Sequence, residues 1–300
     1  MGIIKKNNKV KLWDKNVEKQ FFKEALNFAS LDQLCYKTED NQLLAFWPKG
    51  YKGKKSTLQT RNSLIGSYTE KWTRDLIQHS VKNLGLYAIQ DAVCDEFDLS
   101  SKSPADVVIS NLDDTNLSPE NIKLIIEVKM SLTWNWELKK LNDTLKVNCL
   151  GSYKDHSGVP GLLRSDSMLK AIGKSINIRV SSFKSSSVPI LIIGNTPISN
   201  SYMDKVDHLK NAGIIQGFWS INPQPLNEGE KFVHTTEKEG FKTFENFDEF
   251  KNNIQLLLNK DLNFFSSMKT KKELGKFIEI SNKEKTYEKK AEILLKLLKE

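Results

Sequence analysis

Cysteine is scarce. Cys35, Cys94 and Cys149 are the only three in 300 residues, and none stands in a Cys-x-x-Cys spacing, so neither a disulfide framework nor a thiolate zinc site is suggested. No apolar run approaches the ~18 residues that a membrane-spanning helix needs. The start, MGIIKKNNKVKLW, lacks the apolar segment of a secretory signal, and Lys6 stands where a myristoylation signal needs Ser or Thr. A cytoplasmic protein without a membrane partner is therefore expected. There is no Gly-x-x-x-x-Gly-Lys-Ser/Thr loop, which removes the main reason to expect a nucleotide cofactor, and no internal repeat.

Charge is plentiful and unbalanced. The chain carries 45 Lys and Arg against 37 Asp and Glu, a net charge of +8. Such a surplus favours a polyanionic partner, most simply nucleic acid, although on charge alone a generally Lys-rich surface fits equally well. With 39% hydrophobic and 27% charged residues, the composition is that of a soluble protein of one large or two modest domains.

Texture divides the chain into three regions. Residues 1–65 hold an amphipathic helix candidate, NVEKQFFKEALNFASLDQL, and a basic, aromatic loop, FWPKGYKGKKSTLQTRNS, which either touches phosphates or simply connects. Residues 66–225 are the most structured. There GSYTEKWTRDLIQHSVKNLG reads as a helix ending at Gly85, LYAIQDAVCDEF and SPADVVIS as strands, and NLDDTNLSPEN as a turn. IKLIIEVKMSLTWNWEL then reads as one long strand, MLKAIGKSINIRVSS as a helix after the loop GSYKDHSGVPGLLRSDS, and VPILIIGNTPI as an apolar strand. Residues 226–300 form a Lys-rich tail, helical from about Phe244, expected to serve packing or oligomerisation. The expected fold is α/β: a mixed sheet flanked by helices, with helical additions at both ends.

Within the long strand, LIIEVKMS interrupts an apolar run with two charges. Side chains alternate along a strand, so Ile122, Leu124, Ile126 and Val128 share one face and Lys123, Ile125, Glu127 and Lys129 the other. Glu127 and Lys129 thus stand on one side, roughly 6.5 Å apart along the strand. Glu137-Leu138-Lys139, Glu249-Phe250-Lys251 and Glu288-Lys289-Lys290 have the same spacing, but none lies inside an uninterrupted apolar strand. Asp106, at the head of the neighbouring strand SPADVVIS, supplies a second acid. Two converging carboxylates repel unless a cation lies between them, and hard oxygen ligands with open positions suit Mg²⁺. A phosphodiester is the natural third party, with Lys129 placed to orient or deprotonate a water nucleophile.

In this element order, and in the set Asp106, Glu127-Val128-Lys129, the chain resembles the PD-(D/E)XK nuclease superfamily over roughly residues 66–197. The resemblance implies that Asp106 and Glu127 are the family's two acids and metal ligands and Lys129 its lysine, with Mg²⁺ as cofactor. It further implies that Glu70, in SYTEKW, is the acid which many members carry on the first core helix. Pro104-Ala105-Asp106 departs from the pattern by one extra residue between Pro and Asp. The implied activity is that of a type II restriction endonuclease cutting double-stranded DNA at a short site as a homodimer. A repair or junction-resolving nuclease of the same superfamily, or a non-catalytic DNA-binding protein with a nuclease-like sheet, are the alternatives.

DNA contacts are expected from the loop at 151–167, with Ser152, Lys154, His156, Arg164 and Asp166, and from Lys170, Lys174 and Arg179 on the next helix, which otherwise face water. Asp155-His156 resembles the Asp-His pair of HNH nucleases in those two residues only. Trp134 and Trp136, two apart, are expected in the core.

Overall fold

The computed structural model describes residues 10–54, 56–141, 144–224, 233–259 and 271–299. Helix α1 (Lys15–Ala25) begins where the Asp14 carboxylate accepts from the backbone N–H of Asn16 (2.9 Å) and Val17 (3.0 Å), and it buries Glu18, Phe21, Phe22 and Ala25 on one stripe. The sequence suggested one helix as far as Leu34, but the chain turns after Ala25. Ser30 and Gln33 form a capping box that starts a separate short helix, α2 (Leu31–Leu34). Two short strands follow, β1 (Tyr36–Lys37) and β2 (Leu43–Leu44).

Helix α3 (Gln59–Val81) starts seven residues before Gly66, inside the segment read as a loop. Arg61 explains the difference. It is buried, donates to the Ala45 carbonyl, and lies 5.0 Å from the Tyr36 ring centre and 5.2 Å from that of Phe46, so this first helical turn is fastened to the preceding segment. The helix ends through a 3-10 turn at Gly85, whose φ of +68° is easiest for glycine, as the sequence suggested.

Strands β3 (Tyr87–Ala92), β4 (Ala105–Ser110) and β5 (Ile122–Lys129) form an antiparallel meander. Next come β6 (Asn135–Leu141), β7 (Thr144–Gly151), α4 (Ser165–Ser181), β8 (Ile190–Gly194), α5 (Met203–Asn211), β9 (Gly217–Ser220) and β10 (Phe241–Thr243). The main sheet has the order β10-β9-β8-β5-β4-β3, with β5, β8, β9 and β10 mutually parallel. It is a mixed sheet covered by helices on both faces. Leu124, Ile126, Val128, Leu191 and Ile193 pack with residues of α3 on one side, while Ile125, Ile190, Ile192 and Phe218 pack with residues of α4 and α5 on the other. Ile122 joins the second set rather than the first, because the pairing with β4 shifts by a residue between Ile109 and Ser110.

The long strand read from Ile122 onward is in fact two. After Lys129 the backbone bonds to side chains instead of a neighbouring strand: Asn195 accepts from Ser131 N (3.2 Å) and donates to Ser131 O (2.6 Å), and Glu18 accepts from Thr133 N and Trp134 N. The chain then enters a second, four-stranded sheet of order β1-β2-β6-β7. Trp134 and Trp136 are buried, as expected. Helices Phe247–Leu258, Lys271–Ser281 and Tyr287–Lys299 follow, and residues 260–270 of the tail lie outside the described residues. Among the described residues no helix is long and apolar enough to cross a membrane.

Candidate functional site

Antiparallel pairing of β4 with β5 sets Val107 opposite Ile126, so the next pair outward is Asp106 and Glu127. Both carboxylates belong to the sheet face that α4 covers. Asp106 Oδ2 accepts from Val128 N at 2.7 Å, which ties the acid of one strand to the backbone between the two charges of the other. Lys129 Nζ pairs with Glu127 Oε1 and lies 3.8 Å from Asp106 Oδ2. The three residues singled out in the sequence therefore stand together, partly buried, at one end of the strands.

A fourth residue joins them. Lys174 of α4 does not face solvent, as one reading of the helix had it: its Nζ lies 2.7 Å from Glu127 Oε2, 3.2 Å from Asp106 Oδ1 and 2.8 Å from Pro104 O. Burial disfavours the ammonium, but the charges of Asp106 and Glu127 outweigh that and hold its pKa above the ordinary lysine value. Lys174 therefore stays charged through neutral pH. Two carboxylates and two ammoniums balance, and each of the four carboxylate oxygens has a donor. A legible signal existed. Lys174 lies between Ala171 (i−3) and Ile178 (i+4), both core residues, so its stem had to start at the edge of the buried stripe.

Glu70 reaches the cluster from α3. Burial first, and then the charge of Asp106, lift its pKa from 4.5 to about 7, with Asp91 and Glu127 adding to the rise and Lys129 opposing it. Since the folded value is the higher one, the native state keeps a proton that the unfolded chain releases between pH 4.5 and 7, and the associated stability is lost as pH rises through that window. Glu70→Gln has no such dependence. Its melting temperature relative to wild type is expected to climb between pH 5 and about pH 7.5 and then level off, as a thermal-shift series across pH would show; a constant offset contradicts the assignment.

The residues expected to meet DNA separate into two groups. Lys154 is exposed, and Arg164 and Lys170 are exposed around Asp166, at 3.5 and 3.1 Å. His156, by contrast, is buried against Phe46, with ring centres 4.0 Å apart and planes 7° from parallel. Its Nδ1 accepts from Gly158 N at 3.0 Å, leaving Nε2 to donate toward Thr133 O at 3.4 Å. Burial lowers its pKa to about 4, so it is a neutral packing residue, which corrects the expectation that it touches DNA. Arg179 is likewise turned inward, donating to the carbonyls of Ile214 (3.1 Å) and Val188 (2.6 Å).

The competing Glu137-Leu138-Lys139 lies on β6 in the second sheet, where Lys139 reaches Glu137 at 2.9 Å. A further carboxylate escaped the sequence reading. Glu18 is wholly buried and accepts four N–H groups: Trp13 Nε1 (3.1 Å) and Thr133 N (2.6 Å) at Oε1, Trp134 N (3.2 Å) and Trp136 Nε1 (2.8 Å) at Oε2. Its partners fix the segment that leaves the strand bearing Lys129.

Among the described residues no three or more His, Cys, Asp and Glu side chains are grouped to enclose an ion. Asp106 and Glu127 nevertheless already share one cation, the Lys174 ammonium, and two hard carboxylates with other positions left to water and substrate suit Mg²⁺. Comparison with family models, curated proteins and solved structures returns no match.

Proposed function

We propose that the chain is a Mg²⁺-dependent DNA endonuclease with a PD-(D/E)XK-type core, a type II restriction enzyme that acts in the cytoplasm as a homodimer and hydrolyses both strands of duplex DNA at a short sequence. The observation that carries this reading is the convergence of Asp106 and Glu127, on adjacent strands, upon a single cation, with Lys129 beside them. Asp106 and Glu127 would hold the metal. When bound, Mg²⁺ supplies Lewis acidity and offsets charge on the phosphate oxygens. Lys129 orients the attacking water and stabilises the charge that develops as the new P–O bond forms and the bond to the leaving oxygen breaks. Glu70, half-protonated near pH 7, is a nearby acceptor for the proton that the water gives up.

One observation favours a second reading. Every oxygen of Asp106 and Glu127 is already paired, as in a purely structural ion-pair network. On that reading the protein binds DNA without cutting it. Lys174→Met separates the two. Without its ammonium the carboxylates oppose each other by about 3 kcal/mol if ~5 Å apart at an effective dielectric near 20, so the variant is expected to melt below wild type at pH 7. Millimolar Ca²⁺ or Mg²⁺ is then expected to raise its melting temperature by more than that of wild type, because the vacated place accepts the ion. A variant equally indifferent to both ions would support the structural network.

Incubation with a long plasmid and Mg²⁺ tests the function itself. Discrete fragments support restriction, a preference for branched DNA supports junction resolution, and intact DNA that is nevertheless retarded in a gel supports the binding module.

A further inference from the structure

Helix α4 has two apolar faces and a use for only one. Met168, Ala171, Ser175 and Ile178 are buried toward the sheet. On the opposite side Leu169 is 63% exposed, Ile176 41%, Val180 72% and, just past the helix, Phe183 72%. Spaced at i, i+7, i+11 and i+14, these four fall on one stripe, and Gly173 lies on the same stripe with nothing within 4 Å of where a Cβ would stand. Single exposed apolar residues need no explanation, but a continuous row along a helix marks a contact surface.

The row is also symmetric about Ile176. Seven residues before it stands Leu169 and seven after it Phe183, while Gly173 on one side answers Val180 on the other, small against large. The charges flanking the row are opposite at its two ends. Arg164 and Lys170 outnumber Asp166 at the start, and Glu96 and Glu120 outnumber Lys184, which reaches them at 2.8 and 3.2 Å, at the finish. A second row laid antiparallel brings each surplus positive end onto a surplus negative end. We infer that α4 is the twofold contact between two copies of this chain, with Ile176 meeting Ile176 on the axis and Leu169 of each copy meeting Phe183 of the other. Lys174, on a different side of the same helix, stays with its own carboxylates, so the contact leaves both sites intact.

This contact shares with the functional reading only the expectation of a homodimer, and its test uses neither DNA nor metal. Sedimentation of the full chain is expected to give the mass of two chains at micromolar concentration. Val180→Asp and Leu169→Asp, both surface changes that preserve the circular dichroism spectrum, are expected to raise the dissociation constant by about 100-fold or more, because symmetry buries each new charge twice in an apolar contact. Leu256→Asp, at an equally exposed leucine on the helix Phe247–Leu258, should leave it unchanged. In a Cys149→Ser background, Ile176→Cys should oxidise to a chain-to-chain disulfide. A wild type that stays monomeric at 100 µM, or a Val180→Asp dimer as tight as wild type, overturns the contact; a monomer that still cuts DNA would overturn it while leaving the cleavage reading standing.

Discussion

Lys129→Ala is expected to lower Mg²⁺-dependent cleavage of duplex DNA by about 10²–10⁴-fold, the range in which a positioned acid–base or charge-stabilising group contributes. The fold should survive the change. Glu127 keeps Lys174 at 2.7 Å, so removing the Lys129 ammonium does not strand a buried carboxylate. DNA binding should survive too, since one charge among many on a basic chain is lost. Lys139→Ala is the matched control: its ammonium is more than half exposed, and its loss should leave the rate within about twofold of wild type. Initial rates on supercoiled plasmid, with gel retardation in Ca²⁺ as the binding check, decide the matter. Wild-type cutting by Lys129→Ala contradicts the assignment, and inactivity of Lys139→Ala alone would move the site to the second sheet.

The largest effect on stability is expected at Glu18. Its replacement by Ala leaves four buried N–H groups, two from indoles and two from the backbone at 133–134, without an acceptor. An unsatisfied buried donor costs about 1–3 kcal/mol, so even with partial relaxation or an entering water the loss is on the order of 5 kcal/mol, against the ~5–15 kcal/mol by which native domains are stable. A fall of roughly 10 °C or more in melting temperature follows. Glu18→Gln should also destabilise, since its amide presents an NH₂ group to two of the four donors. Scanning calorimetry of both variants checks this. A loss under about 1 kcal/mol would mean that the four donors find other acceptors.

Much of the main sheet was legible because its strands follow simple physical rules. The apolar alternation of β5, the Gly85 stop and the short entry at Pro104 each act through local chemistry, so helix, three strands, helix and strand could be read in order. What escaped depends on partners distant in sequence. The break after Lys129 is made by Glu18 and Asn195, 115 and 64 residues away from the groups they bind, which no local window contains. The early start of α3 depends on Arg61 finding aromatic rings, and the burial of His156 on Phe46. For the site, Asp106, Glu127 and Lys129 stood out as charges at the ends of apolar strands, whereas Lys174 resembled any helical lysine until the sheet placed two carboxylates beneath it. Glu18 left a trace that local reading could use: it occupies the helical stripe of Phe21, Phe22 and Ala25, where an acid is out of place unless it is bonded.

The central claim is that Asp106, Glu127 and Lys129 hydrolyse DNA with a divalent ion, and Glu127→Gln tests it most directly, since it removes one negative charge while keeping the shape of the side chain. Wild type and Glu127→Gln, shown to be equally folded by circular dichroism, would be incubated with the same long plasmid in Mg²⁺ and in EDTA. Discrete fragments from wild type in Mg²⁺ alone, with none from Glu127→Gln, are predicted. Intact plasmid in every lane, or the same fragments from both proteins, would contradict the account.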